Sequence, residues 1–177
     1  MYFLYAMNRA NWLDKKWEFG IWADAFDNHL SIMKCTAEQI GDLIREVPIQ
    51  KLTFQPNQKW SVNQHIGHLL TMESLWIARL DDFVLGRETL RPWNGNNADT
   101  EAGAFNQQRS AKILEDFADI REPHVKMLRQ LKVKANEMKV YHERLKTQFS
   151  LADHVMFVAE HDQHHLNAIR NIFIELP

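Results

Sequence analysis

Apolar residues recur at steps of three and four in four long stretches of this chain, and that spacing predicts four amphipathic helices. The predicted helices cover residues 24–46, 61–85, 106–131 and 151–174. The sequence has only 6 glycines and 5 prolines, and the alternation of β-branched residues that marks strands is rare. Four such helices in a chain of 177 residues predict an all-α fold, a four-helix bundle.

Local signals indicate where several of these helices begin or end. Ser61 and Gln64 form a capping-box pattern at the start of the second helix, and Ser150 is expected to cap the fourth. Gly86 stands where the second helix should stop. Pro123 lies inside the third helix and predicts either a kink or two shorter helices that meet there.

Two long connections and an N-terminal segment complete the predicted single domain, which spans residues 1–177. The connections follow the second and third helices, at 86–105 and 132–149. The segment 1–23 precedes the first helix and is rich in tryptophan. We expect this segment to pack across one end of the bundle. Its tryptophans are Trp12, Trp17 and Trp22.

Charge and composition exclude several classes of protein. The chain has 21 Lys and Arg against 23 Asp and Glu, so it lacks the basic excess that nonspecific nucleic-acid binding needs. The apolar N-terminal run is too short for a signal core, and no uncharged apolar stretch approaches about 18 residues. We therefore expect a cytoplasmic protein with no nucleic-acid or membrane partner. The single cysteine, Cys35, excludes an internal disulfide and a thiolate zinc cluster.

Histidine is unusually abundant, with 9 residues in the chain. His161 and His165 lie four residues apart in the fourth predicted helix, and so on one side of it, close to its apolar stripe. Two imidazoles at this spacing can bind one metal ion. The alternative is a polar helix face with one satisfied buried imidazole. Spacing alone leaves both open, although unpaired polar rings beside the apolar stripe would be costly.

A third metal ligand would have to come from upstream, because few residues follow His165. His68 lies amid apolar residues of the second helix, and Gly67 before it would let another helix or a ligand approach closely. The alternative for His68 is a structural imidazole bonded within the core. The motifs do not indicate a zinc peptidase or a di-iron bundle. Asp162 stands where the His-Glu-x-x-His motif of zinc peptidases has glutamate, and the Glu-x-x-His motif of di-iron bundles does not occur in the chain.

Two separated stretches resemble the signature helices of the DinB-like superfamily. The first is WSVNQHIGHLLTMESLWIARLDDFVLG, in the second predicted helix, and the second is VMFVAEHDQHHLNAIRNI, in the fourth. Weaker similarities between them, such as YHERL, extend the resemblance over nearly the whole chain. The resemblance implies a four-helix bundle with up-down-down-up topology.

The resemblance also implies a divalent metal, nickel or zinc, bound by three histidines. Carried onto this sequence, the ligands are His68, His161 and His165. His164 then corresponds to a companion histidine that is not a ligand, and His154 stands where the family has an apolar residue. Relatives include thiol-dependent S-transferases, a mycothiol-dependent isomerase and proteins named metal-dependent hydrolases. Homodimers are common among them.

Three neutral imidazoles would leave a divalent ion with positive charge and open coordination positions, as in catalytic sites. We therefore expect a metal-dependent enzyme that acts on a small molecule, either as a hydrolase or as an S-transferase with a low-molecular-weight thiol as cosubstrate. His142 is a candidate catalytic residue, as proton shuttle or substrate contact, and Asn97 lies on a connection that could reach the metal. Glu73 is a second candidate catalytic residue, and it and Glu160 could orient imidazoles by accepting hydrogen bonds, whereas Asp162 is expected to be a helix-surface carboxylate.

A second class of function also stays open at this point. The chain could be a non-catalytic metal-binding module of a stress response that acts through a homodimer, with the tryptophan-rich segment as the dimer face. A cavity at an open metal site would favour the enzyme. A buried metal without a cavity would favour the binding module.

Overall fold

A computed structural model describes residues 15–20 and 23–175 of this protein. Its four longest elements are helices, and they form the predicted four-helix bundle. In chain order the elements are α1 (Ala23–Ile44), α2 (Ile49–Leu52), α3 (Val62–Val84), α4 (Ala98–Ala102), α5 (Ser110–Leu131), β1 (Lys139–His142), β2 (Thr147–Ser150) and α6 (Leu151–Glu175). Helices α1 and α3 each pack against α5 and α6, so α1 and α3 stand at opposite corners of the bundle.

Two apolar clusters fill the bundle, one toward each end. The first includes Leu30 of α1, Leu80 of α3, Leu128 of α5 and Val155 of α6. The second includes Ile40 of α1, Ile66 of α3, Phe117 of α5 and Leu166 of α6. Along the chain, α1 and α6 therefore run from the first cluster to the second, and α3 and α5 run the opposite way, as an up-down-down-up bundle requires. Buried polar residues lie between the two clusters on all four helices.

The predicted caps are present at the starts of α3 and α6. The Ser61 hydroxyl accepts the Gln64 backbone N–H, and the Gln64 side chain accepts the Ser61 N–H. At α6, the Ser150 hydroxyl accepts the Asp153 N–H, and the Asp153 carboxylate accepts the Ser150 N–H. These bonds satisfy amides that have no partner within the helix. Beyond the end of α3, Gly86 adopts a φ of 60°, a value that favours glycine.

Asn63 explains why α5 begins at Ser110 and not at the predicted residue 106. The Asn63 amide nitrogen donates to the carbonyls of Phe105 and Gln108, each at 3.1 Å, and its oxygen accepts the Ser110 hydroxyl at 2.6 Å. The segment before α5 is thereby tied to α3 and forms a short 3-10 turn. The Phe105 ring lies against Gly67, where an added Cβ would come within 2.1 Å of it.

Helix α5 runs through Pro123 without interruption, so the alternative of two shorter helices is wrong. The connection after α5 contains an antiparallel β-hairpin that the helical pattern did not predict. In it, Val140 of β1 lies opposite Phe149 of β2, and both side chains are buried. The turn uses Lys146 at a φ of 52°, so it lacks the glycine that usually signals a hairpin.

The described part of the N-terminal segment lies against α6. The Trp17 ring packs on Phe157 with centroids 4.8 Å apart, and the Gly20 N–H donates to the Asp153 carboxylate at 2.7 Å. Trp12 and Trp22 lie outside the described residues. Within the part of the chain that the structure describes, no helix is long and apolar enough to span a membrane.

Candidate metal centre

Three buried imidazoles meet between α3 and α6, and we call them the histidine centre. The Nε2 atom of His161 lies 3.3 Å from Nε2 of His68 and 3.2 Å from Nε2 of His165. One ligand atom from each residue lies within 4.8 Å of the other two. His161 and His165 occupy successive turns of α6, and His68 comes from the neighbouring helix. The structure thus brings together the three histidines that were predicted as ligands.

The separations of His161 Nε2 from Nε2 of His68 and from Nε2 of His165 fit a bound divalent ion. Two nitrogens at about 2.05 Å from one tetrahedral ion are about 3.3 Å apart, close to both of these separations. The Nε2 atom of His161 faces two other ring nitrogens at once, the arrangement that a shared ion would require.

A chain of hydroxyl groups fixes which nitrogen of His68 carries the proton. The Thr71 hydroxyl donates to the His68 carbonyl at 3.0 Å, so the Thr100 hydroxyl donates to Thr71 at 3.1 Å. The Thr100 oxygen is then left to accept a proton from His68 Nδ1, 3.0 Å away. His68 therefore carries its proton on Nδ1 and presents the lone pair of Nε2 to the centre, as a metal ligand must.

His65 holds His165 in the same way. The Nδ1 atoms of the two rings are 2.9 Å apart, and with Nε2 facing the centre His165 donates from Nδ1. Burial, with the charges of His68 and His164 adding to it, lowers the pKa of His65 to about 3, so His65 is a neutral acceptor. The ring of Trp60 packs close by, with its centroid 4.8 Å from that of His68.

Burial keeps the histidine centre in the form that binds metal. It lowers the pKa of His68 to about 4, with the charge of His164 adding to the effect. It lowers the pKa of His161 and of His165 well below the usual value for histidine, and the neighbouring histidines lower it further. All three rings are therefore neutral at pH 7, and a neutral imidazole is the metal-binding form.

The histidine centre opens onto a cavity of about 510 Å³, which its three residues help to line. This volume lies in the range of about 300–1,000 Å³ that is typical of small-molecule sites. The walls are largely aromatic. They include Trp17, Trp60, Trp76, Trp93 and Phe157. His142, Asn97 and His164 line the same cavity. The two connections that carry Asn97 and His142 therefore reach it.

His142 is a hydrogen-bond donor in this cavity. Its Nδ1 accepts the backbone N–H of Leu145 at 3.3 Å, which leaves the ring proton on Nε2. Burial, followed by the charges of Arg79 and Arg144, lowers the pKa of His142 to about 4. Of the two predicted roles, a neutral ring that already carries its proton on Nε2 favours substrate contact over proton shuttle.

Glu73 and Asp162 lie in a second buried group, which we call the charge cluster. Its members are Thr36, Glu73, Arg121, His124 and Asp162. Arg121 pairs with both carboxylates, Glu73 also bonds His124 Nδ1 at 2.8 Å, and the Thr36 hydroxyl donates to Asp162 at 2.8 Å. Asp162 is fully buried, so its prediction as a helix-surface carboxylate is wrong. The imidazole that Glu73 contacts belongs to His124 and not to the histidine centre.

The other polar candidates lie apart from the centre. Glu160 is paired with Lys15 and partly exposed. His154 is fully buried among aromatic rings, including those of Trp76 and Phe83. Neither residue lines the cavity, so the structure gives neither of them a contact with its contents.

Fold and site together define a four-helix bundle with a buried three-histidine cluster, and comparison with known proteins supplies its family. The sequence pattern of the DinB superfamily matches residues 36–169. This chain belongs to the DinB superfamily. Its structure is similar to that of YfiT from Bacillus subtilis, described as a probable metal-dependent hydrolase with an unusual four-helix bundle topology. The TM-score is 0.71 at 17% identity, covering 89% of this chain and 91% of YfiT. No curated protein sequence matches this chain.

Proposed function

We propose that this protein is a metal-dependent enzyme that holds a nickel or zinc ion on His68, His161 and His165. The observation that carries the proposal is the convergence of three ring nitrogens on the wall of an open cavity. A non-catalytic metal-binding module needs no such cavity. Membership of the DinB superfamily and the likeness to a probable metal-dependent hydrolase support the same function.

The residues around the histidine centre have different roles in the proposed catalysis. A bound ion would lower the pKa of a water or thiol ligand and polarise a substrate carbonyl, and imidazole ligands suit both nickel and zinc. Thr100 and His65 keep the ligand nitrogens in place. Trp60 covers the rings, and His142 offers its N–H to an oxygen of the substrate.

Hydrolysis of an ester or amide is the first candidate reaction, in which water adds across the acyl bond. The second is transfer of a low-molecular-weight thiol, whose sulfur bonds to an electrophilic carbon as a leaving group departs. One observation favours this second reaction. Among the described residues, the carboxylate that lines the cavity is the exposed Glu143, so the centre lacks a buried acidic base. An ionised thiol attacks without such a base.

An activity screen with matched variants tests the proposal. Untagged protein, loaded with nickel or zinc, is assayed on nitrophenyl esters and anilides, and for conjugation of monochlorobimane with several small thiols. We expect turnover in one arm that a chelator abolishes and added metal restores. His68→Ala should lower the rate at least about 100-fold, while His29→Ala, outside the centre, should not. Turnover that survives both chelation and His68→Ala would contradict the proposal.

A further inference from the structure

Arg79 is a buried cation on the wall of the cavity. The residue is only 2% exposed, yet it lines the cavity. Its Nε donates to the Arg91 carbonyl at 3.1 Å, and its guanidinium lies 5.4 Å from the centroid of Trp76. Within the described residues it forms no ion pair, and its other N–H groups make no hydrogen bond. A buried cation without an ion pair is costly.

The carboxylate near Arg79 is already engaged elsewhere. Asp82 favours the charged form of Arg79 electrostatically. Its Oδ2, however, accepts the Arg91 backbone N–H at 2.9 Å and Nε at 3.0 Å, and its Oδ1 accepts the terminal nitrogen of Arg91 at 2.7 Å. Both oxygens of Asp82 therefore bond Arg91, and the free N–H groups of Arg79 have no acceptor from this side chain.

Other residues make this part of the cavity positive. Arg144 also lines the cavity and lies over the Trp93 ring, 5.4 Å from its centroid. His142 adds an N–H donor. Among the described lining residues, Glu143 is the acidic one, and it is exposed. Among the described residues, two guanidinium groups therefore face the cavity with one carboxylate.

We propose that Arg79 forms a subsite for a carboxylate of the substrate, with His142 as a second donor. A planar guanidinium can bind a carboxylate through two parallel hydrogen bonds. The free N–H groups of Arg79 are the part of the side chain available for such bonds. The anion would supply the ion-pair partner that Arg79 does not have among the described residues.

The separation of Arg79 from the histidine centre also indicates the length of the ligand and the order of its groups, an inference that rests on the proposed function. Arg79 follows His68 on α3 by about three turns, roughly 16 Å along the axis. Met72 and Trp76 line the wall between them. A fitting substrate therefore has a carboxylate at one end, an apolar or aromatic middle, and its reacting group at the histidine centre.

Binding of a matched acid and amide tests the subsite. The probes are 4-phenylbutyrate and 4-phenylbutyramide, titrated by calorimetry into the full-length untagged protein as purified. Charge-assisted hydrogen bonds should make the acid bind at least about tenfold more tightly than the amide. Arg79→Met should abolish this preference, and Arg79→Lys should keep much of it. Arg87→Met removes an exposed cation just beyond α3 and should leave the preference unchanged.

Two results would overturn the proposal. One is equal binding of acid and amide by the unsubstituted protein, which needs no variant and so holds even if Arg79→Met fails to fold. The other is a preference for the acid that survives in folded Arg79→Met, since the acid would then be bound elsewhere, for instance at the metal. Metal content and turnover of the same preparation test the proposed function separately, so the two failures are distinguishable.

Discussion

The histidine centre and the charge cluster lie at the same level of the bundle, between the two apolar clusters, and they are organised in opposite ways. In the charge cluster, a buried arginine bonds two carboxylates, so each carboxylate has a cationic partner within the protein. In the histidine centre, three neutral rings present the same nitrogen to one point. The charge cluster pairs its charged groups with one another. The histidine centre has the arrangement that a shared metal ion would complete.

This difference shows how one helix can serve both structure and function. His161 and Asp162 are adjacent in α6, but successive residues of a helix point about 100° apart. Asp162 therefore reaches Thr36 of α1 and Arg121 of α5, while His161 meets His68 of α3. By bonding α6 to α1 and α5, the charge cluster fixes the rotation of α6 and so the direction in which His161 points.

Breaking the charge cluster should have the largest effect. Arg121→Met removes the arginine partner of Glu73 and leaves that carboxylate buried. We therefore expect the free energy of unfolding to fall by about 3–5 kcal/mol. Urea denaturation measures this change. Arg129→Met, which removes an exposed arginine from the same helix, should change it by less than about 0.5 kcal/mol. A loss below about 1 kcal/mol for Arg121→Met would mean that the cluster contributes little to stability.

Loosening the histidine centre should instead affect metal binding. Thr100→Val removes the oxygen that accepts the proton of His68 Nδ1, and losses of this kind weaken metal affinity by about 10- to 100-fold. Competition with a chelating dye gives the Kd. The exposed Thr89 supplies the matched control, because Thr89→Val should leave the Kd unchanged. Equal Kd values for the two variants would show that Thr100 does not support the ligand.

The stability contributed by the buried histidines in and around the centre should differ in its pH dependence from the stability contributed by the charge cluster. Burial lowers the pKa of His65, His68 and His142 in the folded state. The unfolded chain then binds more protons, so stability is full above about pH 6.5 and falls as the pH decreases towards about 4. Burial raises the pKa of Glu73, but Arg121 and His124 outweigh this effect and lower it, so its contribution is lost only below about pH 4.3.

Denaturation of the metal-free protein between pH 7.5 and 4.5 checks this order. We expect the free energy of unfolding to decrease by about 1 kcal/mol or more over that range. The metal-loaded protein should keep its stability to lower pH, because the ion competes with protons for the same nitrogens. A flat profile for the metal-free protein would mean that the histidines are not held neutral by the fold.

Much of the fold follows from the sequence because long amphipathic helices repeat their apolar signal many times. The bounds of α3 and α6 agree with the prediction within a residue or so, since caps at Ser61 and Ser150 reinforce the apolar spacing. The hairpin escaped prediction because its strands are four residues long and its turn has Lys146 where glycine is usual. The late start of α5 depends on bonds from the distant Asn63, which no local pattern indicates.

The site residues divide in the same way into those that the local sequence indicates and those that depend on contacts with distant parts of the chain. His161 and His165 follow from helical spacing, and their partner His68 follows from the family resemblance. His65 and Thr71 lie one turn before and after His68, so a local signal for their support of the centre existed. Thr100 had none, because its contact depends on how a connection folds back on α3. The burial of Asp162 could not be read from its charge, since its partner Arg121 lies on another helix.

The metal content of the untagged protein tests the central claim, the three-histidine centre, most directly. Elemental analysis should find about one nickel or zinc ion per chain. His68→Ala, His161→Ala and His165→Ala should each lose it while remaining folded by circular dichroism, and His29→Ala should retain it. Full metal content in the three variants, or no divalent ion bound by the unsubstituted protein even when nickel or zinc is supplied, would contradict a three-histidine metal centre.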